Sequence, residues 1–442
     1  MTLSLALLSV QAFAGTKTWS NGNGDGQWDT GGNWVPAGAP GYYSDDVVFD
    51  DTAPGASLSA ALATEAHVVT LTFDKSTDFT LNGGGEGGRG IYFVGTQPIV
   101  TVKKPHTYTV DSLGGNGAQF DVADGGKLVL TKAYTTDYML AGGVVQKGRG
   151  SVWYSNHYGI STTWTFGTGA QGGGMLEWLP NYGVTFSFGG YGNFKPHERA
   201  GNDYMAPTAL NGYTGTWIAV SPPSGAMQGF TFTKPMNDAN AHVDVALEDN
   251  GDPASWKCGG VSQGVGAGEW AFTNMTFSGA GRVIIHSAVG PGYWWYADNR
   301  KCTLAGCTVA PGGAGLRKID LIANVDFQKY GAAPTKLAID ISNNVCDVVE
   351  VINRPGGFAP VSSGASPNRL ENCALDLTVA KGDYTGMTFT NLLTSSDLSG
   401  GAHFFGDVNL HGAKATINYL NGKVTLTGVE SPKPKGSVVI TR

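Results

Sequence analysis

Charge is what this chain has least of. Of its 442 residues, 28 are Lys or Arg and 35 are Asp or Glu, together 14%, where an ordinary soluble protein carries about 25%. The net charge of −7 comes without a Lys/Arg cluster, which argues against a nucleic-acid surface. Long hydrophobic runs are also missing, and beyond the first residues nothing approaches the ~18 residues of a membrane-spanning helix. No stretch keeps the 3.6-residue period of an amphipathic helix. Phosphate-loop and His-Glu-x-x-His spellings are absent. Cysteine is scarce: Cys258, Cys302, Cys307, Cys346 and Cys373 all lie in the last two fifths. What is there is glycine, 67 residues of it, with 41% hydrophobic and 11% aromatic residues. That hydrophobicity excludes disorder, and the lack of a three-residue period excludes collagen. Abundant glycine with little charge suits an all-β chain that often needs φ > 0 at its turns.

The first residues read as an export signal. Leu3 to Val10 is a short apolar run, and Ala12-Phe13-Ala14 supplies the small-x-small pattern before Gly15, so cleavage is expected after Ala14. No Lys or Arg precedes the run. The mature chain is expected to be secreted or on the cell surface, with no transmembrane segment. In such an oxidising compartment Cys302 and Cys307 are close enough in sequence to close a small disulfide loop. Buried, unpaired thiols are the alternative.

Apolar residues alternate with polar ones in runs of four to seven, the strand period. His67-Val-Val-Thr-Leu-Thr-Phe73, Gly126-Lys-Leu-Val-Leu-Thr131, Gly281-Arg-Val-Ile-Ile-His286 and Lys423-Val-Thr-Leu-Thr427 are examples. Internal similarity narrows the architecture. Gly148-Arg-Gly-Ser-Val-Trp-Tyr-Ser-Asn156 lines up with Gly266-Ala-Gly-Glu-Trp-Ala-Phe-Thr-Asn274, and Asp124-Gly-Gly-Lys-Leu-Val-Leu-Thr131 is a looser copy. One strand and one turn cannot bury an apolar face alone, so such copies are expected to stack as a solenoid.

Gly142-Gly-Val-Val-Gln-Lys-Gly-Arg-Gly-Ser-Val-Trp-Tyr-Ser-Asn-His-Tyr-Gly159 resembles the autotransporter-associated β-strand repeat of exported bacterial proteins. It lacks the spacer after Ser155 and is one residue short at its end. The opening Thr18-Trp-Ser-Asn-Gly-Asn-Gly-Asp-Gly-Gln-Trp28, with Asn33-Trp34, Pro40 and Asp45-Asp-Val-Val-Phe49, resembles the segment that often precedes these repeats. Residues 309–426, through Leu337-Ala-Ile-Asp-Ile341 and Asp347-Val-Val-Glu-Val351, resemble their closing module. The resemblance implies a right-handed single-stranded parallel β-helix. The expected organisation is a signal at 1–14, an N-terminal cap at 15–60 centred on Trp19, Trp28 and Trp34, and a β-helix at 61–300. A closing module at 301–430 and a tail at 431–442 complete it. The chain leaves no room for the C-terminal membrane barrel of a self-translocating protein, so export by another route, or a longer parent protein, is expected.

Parallel β-helices also carry polysaccharide lyases and hydrolases, whose sites need an Asp cluster with calcium or paired carboxylic acids. The richest candidate is Asp238 to Asp252, where His242 and Asp244 share a strand face and Glu248, Asp249 and Asp252 approach a turn. A solvated strand with an Asp-Asn-Gly turn explains it equally well. Tyr293-Trp294-Trp295-Tyr296 is a candidate for stacking on sugar rings, with core and cap positions as the plainer reading. His197-Glu-Arg199 reads as an exposed loop. Asn21-Gly-Asn-Gly-Asp-Gly26 has the alternating oxygens of a calcium loop, but its twelfth position is Gly32 rather than a bidentate Glu. No cofactor or catalytic residue is therefore expected, with calcium at that loop as the one exception weighed. The leading expectation is a non-catalytic structural or adhesive protein that meets polysaccharide or protein outside the cell. The alternatives are a carbohydrate-binding or carbohydrate-degrading β-helix, and a filament subunit that self-assembles by end-stacking.

Overall fold

Alternation decides both the strands and the face each one buries. Asp46–Asp50, Thr70–Asp74, Ile99–Val102, Thr107–Val110 and Lys127–Leu130 all bury every second residue, as β-branched and apolar residues at period two require. In this computed structural model the described residues run from 15 to 432. They omit 41–44, 53–58, 63–65, 84–89, 94–98, 112, 115–116, 132–142, 156–160, 169–171, 180–184, 197–205, 210–212, 220–241, 248–253, 259–269, 274, 280, 286–300, 313–317, 323, 352–369, 396–403 and 421–422. Among them there is no α-helix; two 3-10 turns, Gly31–Asn33 and Leu370–Asn372, interrupt the strands. The chain divides into two compact units, Met1–Val184 and Thr185–Arg442. That boundary falls inside the stretch expected to be one β-helix, and the signal segment 1–14 lies outside the described residues.

In the first unit the strands assemble into parallel sheets. One contains Thr16–Trp19, Asp46–Asp50, Thr70–Asp74, Ile99–Val102, Ala118–Val122, Val144–Lys147 and Ser161–Phe166. A second contains Ser59–Ala61, Phe79–Asn82, Thr107–Val110, Lys127–Leu130, Ser151–Ser155 and Gly174–Leu179. A third, of Ala66–Val68, Ile91–Phe93 and Leu113–Gly114, accompanies the earlier strands. The chain visits these sheets in rotation and returns to each after about 20–30 residues, the interval of a repeat architecture.

Register follows from this rotation. Phe49 pairs with Phe73, Phe73 with Val102 and Val102 with Val122. On the facing sheet Phe79, Tyr108, Leu128, Val152 and Leu176 form a second column. The Phe49 and Phe73 rings stack at 5.5 Å and Phe73 and Tyr108 at 5.1 Å. Each such fully buried ring contributes about 1.5–3 kcal/mol by leaving water, and the offset stacking adds to it. One inward position is polar. Gln146, between Phe120 and Phe166 in register, accepts from Trp164 Nε1 at 3.1 Å. It donates to the carbonyls of Gly150 (3.2 Å) and Met175 (3.1 Å), so its burial leaves its amide fully partnered.

The first unit opens under an aromatic lid. Trp28 and Trp34 meet edge-on at 4.7 Å, Trp19 and Trp34 at 5.0 Å, and all three indoles lie against Phe49. The indole donor of Trp34 is not left to water; it bonds the Trp28 carbonyl at 2.7 Å. Asn33 ties the surrounding loop together. Fully buried, it donates to Asp25 and to the Gln27 carbonyl and accepts from the Asn23 amide. Its own carbonyl receives the Ser20 and Asn21 amides.

The second unit repeats the pattern with different strands. From Ala254–Cys258 onward the chain passes three times through three parallel sheets. The first pass is Ala254–Cys258, Trp270–Thr273 and Met275–Gly279. The next is Gly281–Ile285, Lys301–Ala305 and Thr308–Pro311, and the last is Lys318–Ile322, Asn324–Gln328 and Thr335–Ser342. The pattern ends by reversing direction. Thr388–Ser395 pairs antiparallel with Lys423–Glu430, which pairs antiparallel with Lys414–Leu420.

Glycine is indispensable where one turn lies on the next. At Gly148 φ is +77°, and a Cβ there would stand 2.1 Å from the Val122 carbonyl oxygen. Gly150 presses on the same Val122 and on Ala123. Gly24, with φ of +72°, has open space around it. Gly148→Ala is therefore expected to cost on the order of 3 kcal/mol, combining a left-handed backbone with a clash. Gly24→Ala should cost only about 1 kcal/mol, for the backbone alone. Urea unfolding of the two variants checks the difference.

Candidate functional site

Several candidates from the sequence fall where no geometry is described. Tyr293 to Tyr296, His197 to Arg199 and the ends of the acidic stretch 238–252 lie outside the described residues, as does most of the Gly266 repeat copy. His242–Leu247 is a strand, paired between Thr214–Ala219 and Met275–Gly279; its side chains are outside the description. The Cys302 side chain is likewise outside, while Cys307 is buried. Gly260-Val-Ser-Gln-Gly264 also spells a nucleophile elbow and lies outside the described residues. Such an elbow needs a strand-to-helix turn.

The loop weighed for calcium closes on itself. Asn21 Oδ1 accepts from the Gly26 amide at 2.9 Å. Asp25 accepts from the Gln27 amide at 3.0 Å, from Thr30 Oγ1 at 2.8 Å and from Asn33. The Gln27 bond, then those of Asn33 and Thr30, hold the Asp25 carboxyl below the usual carboxylate range. Among the described residues no group of three His, Cys, Asp or Glu side chains is placed to hold a metal ion.

Three polar clusters do form, each by stacking residues from successive passes of the chain. The first occupies adjacent turns of the first unit. Lys104 Nζ lies 2.6 Å from Asp51 Oδ2 and 2.9 Å from Ser76 Oγ. Ser76 in turn donates to Asp51 through its hydroxyl (2.6 Å) and amide (2.7 Å). The Lys104 ammonium, with Ser76, holds the Asp51 carboxyl well below its ordinary range, and Asp51 holds Lys104 above its own. Inward from this turn Lys75 is buried, donating to the Asp50 carbonyl at 2.9 Å. Tyr108 donates to the Lys75 carbonyl, and burial pushes its hydroxyl up to about 12.

The second cluster lies on the outer face of the second sheet of that unit. Lys127 reaches across the intervening strand to Glu177 Oε1 at 2.9 Å, and its ammonium stands 5.2 Å from the centroid of the Trp153 ring. Trp153 pairs in register with Val129 on one side and Glu177 on the other. Sequence reading passed over these residues. The signal was present in the equal spacing of Gly126, Gly150 and Gly174, each at the start of a strand, which aligns Val129, Trp153 and Glu177 as equivalent outward positions.

The third cluster lies in the second unit. Asp376 meets His411 and accepts from Asn409 Nδ2 at 3.1 Å, while Lys336 Nζ approaches its other oxygen at 3.4 Å. These residues come from consecutive strands of one sheet, Thr335–Ser342, Cys373–Val379 and Asp407–Asn409, and the turn after them.

The chemistry of these groups has one direction. Asp25, Asp51 and Asp383 are held below their usual values by hydrogen bonds, and Lys104 above. Burial raises Tyr108, Tyr154, Tyr419 and the Cys373 thiol. Among the described residues these groups are moved away from neutral pH, whereas a general acid or base is tuned toward the working pH. No family model matches the chain, and no curated protein or solved structure matches it either.

A carboxylate depressed in the folded state adds stability that is complete above its unfolded value, near 3.9, and is lost as the pH falls through its folded value. Asp25, Asp51 and Asp383 all have that sign. The Tm is therefore expected to stay level between about pH 5 and 8 and to drop below about pH 4. Asp51→Asn should lower the plateau and make the acid drop shallower, as followed by circular dichroism melts across pH.

Proposed function

We propose that the two units are right-handed parallel β-helices and that the chain is a non-catalytic structural or adhesive protein working outside the cell. Right-handedness is the expectation for parallel strands joined by crossovers in one sheet, which take that hand in about 98% of cases. The cyclic order of sheets in each unit supports a helical coil. The resemblance of 142–159 to the repeats of exported passenger proteins supports the same reading, and so does the close stacking at Gly148 and Gly150 within it. The observation that carries the functional half is that polar side chains of successive passes bond one another, as Asp51, Ser76 and Lys104 do and as Tyr108 does with the Lys75 carbonyl. The Asp51 carboxyl is held low by Lys104 and Ser76 and the Tyr108 hydroxyl is raised by burial, an arrangement suited to rigidity.

End-stacking into filaments is the weaker reading, because the described edges are blunted. At the first unit's opening Lys17 Nζ takes the carbonyls of Pro36 (3.2 Å) and Ala37 (3.3 Å). The second sheet's first strand is closed by Trp28 and Gly26 bonding Ala61. In the second unit the short strand Asp407–Asn409 spends acceptors on its own edge. Asp407 Oδ1 takes the Val408 amide at 2.9 Å, and Asn409 Oδ1 takes the His411 amide at 3.2 Å.

The reading is tested with the purified full chain and a panel of pectin, alginate, xylan, β-glucan and chitin. Reducing ends and the ultraviolet absorbance of unsaturated sugars report cleavage. No turnover above buffer is expected, together with a monodisperse species by light scattering. Cleavage that scales with protein and co-purifies with it through two columns would overturn the proposal.

A further inference from the structure

The outer face of a stacked sheet is where a sequence is free to vary, because the fold asks only that those positions tolerate water. In the second sheet of the first unit one outward column reads Thr80, Thr109, Val129, Trp153 and Glu177 in register. An indole there is not required by the stack. The aligned position of the looser repeat copy is Val129, and that of the Gly266 copy is Ala271. Trp153 is partly exposed, with half-buried Val129 opposite it on one neighbouring strand, Glu177 opposite it on the other, and half-buried Met175 two residues before Glu177.

The polar groups beside the ring are arranged for hydrogen bonding. Lys127 and Glu177 sit two strands apart and meet at 2.9 Å across the strand that carries Trp153, with Glu177 in register with Trp153 and Lys127 in register with Ser151. Their side chains are only 32% and 17% exposed, so bonds they make are partly shielded from competing water. The carboxylate accepts and the ammonium donates, which serves the two roles of a sugar hydroxyl. The pair is also neutral overall, and therefore offers no attraction to a polyanion. An aromatic ring carries the complementary surface for the C–H face of a pyranose.

We propose that Lys127, Trp153 and Glu177, flanked by Val129 and Met175, form a binding strip for uncharged polysaccharide. Trp153 stacks on one sugar ring, and Lys127 and Glu177 bond its hydroxyls. This goes beyond the adhesive reading by naming a ligand class and a place. Adhesion through another surface would survive its failure.

The test is affinity electrophoresis and tryptophan-fluorescence titration of the full chain with soluble β-glucan, xylan, galactomannan and chitin oligosaccharides. Polygalacturonate and alginate serve as acidic counterparts. Binding of at least one uncharged polymer is expected, weakened at least tenfold by Trp153→Ala and partly restored in Trp153→Phe. Glu177→Gln should weaken it severalfold, and Phe404→Ala, in the other unit, should leave it unchanged. Matching circular dichroism melts for Trp153→Phe and the parent keep the comparison valid if Trp153→Ala folds poorly. Binding confined to the acidic polymers, binding indifferent to Trp153, or no binding at millimolar sugar would each overturn the proposal. Cell adhesion that persists in Trp153→Ala would leave the adhesive function standing and remove only this strip.

Discussion

The structure depends on one constraint: parallel strands from successive passes of the chain lie in register, so a side chain's closest neighbour is its counterpart one pass later. Local propensity makes the strands, but a five-residue strand such as Asp46–Asp50 is too short to be stable alone. It persists because Phe49 rests on Phe73 and on Phe79 from the facing sheet. The same constraint governs polar residues. Gln146 is tolerable inside only because Trp164 Nε1 and the carbonyls of Gly150 and Met175 meet its amide, and a buried amide without them would cost about 1–3 kcal/mol. It governs the turns as well, where Asp51, Ser76 and Lys104 come from three successive passes.

A stack of this kind is satisfied along its length and unsatisfied where it stops. The opening of the first unit answers with two devices of different physics. Apolar area is covered by Trp19, Trp28 and Trp34, and backbone groups are met by a loop that Asn33 holds in shape. In the second unit the closing strands turn antiparallel, so Lys423–Glu430 completes the edge of Thr388–Ser395 with a hairpin instead of another parallel strand. The outermost short strand then uses Asp407 and Asn409 to occupy its own amides. Charged and amide side chains on a three-residue edge discourage a second chain from adding there.

Much of this was legible in the chain before any coordinates. Alternation in Thr70–Asp74 or Lys127–Leu130 announces a strand and its inner face, because period two is enforced by backbone geometry alone. The Gly-x-Gly at 148 announced a close approach, and the Val122 carbonyl is what it approaches. What could not be read was anything set by a partner that the fold brings up. Asp25 displays in the sequence only its spacing to Asn21 and Asn23, on which calcium was weighed as the one exception. Its bonds to Gln27, Thr30 and Asn33 depend on how the loop folds back. The Trp34 indole donor likewise finds the Trp28 carbonyl through the folding of its loop. The outward direction of Trp153 emerges only once Val129 and Glu177 stand beside it.

The same constraint separates structural from functional information. Inward columns answer to their neighbours. Replacing Tyr108 or Leu128 disturbs the residues above and below, so their identities report packing. Outward columns answer mainly to water. A threonine such as Thr80 or Thr109 suits a half-exposed strand by propensity, and ion pairs such as Lys103 with Asp74 add little when exposed. An outward residue that neither propensity nor solvation asks for is then the informative one. Trp153 is of that kind. Its indole brings more apolar surface than the position needs, and Lys127 and Glu177, from the strands on either side, meet beside it with the Lys127 ammonium over the ring. The fold that makes the inside predictable thereby marks where on the outside to look for a ligand.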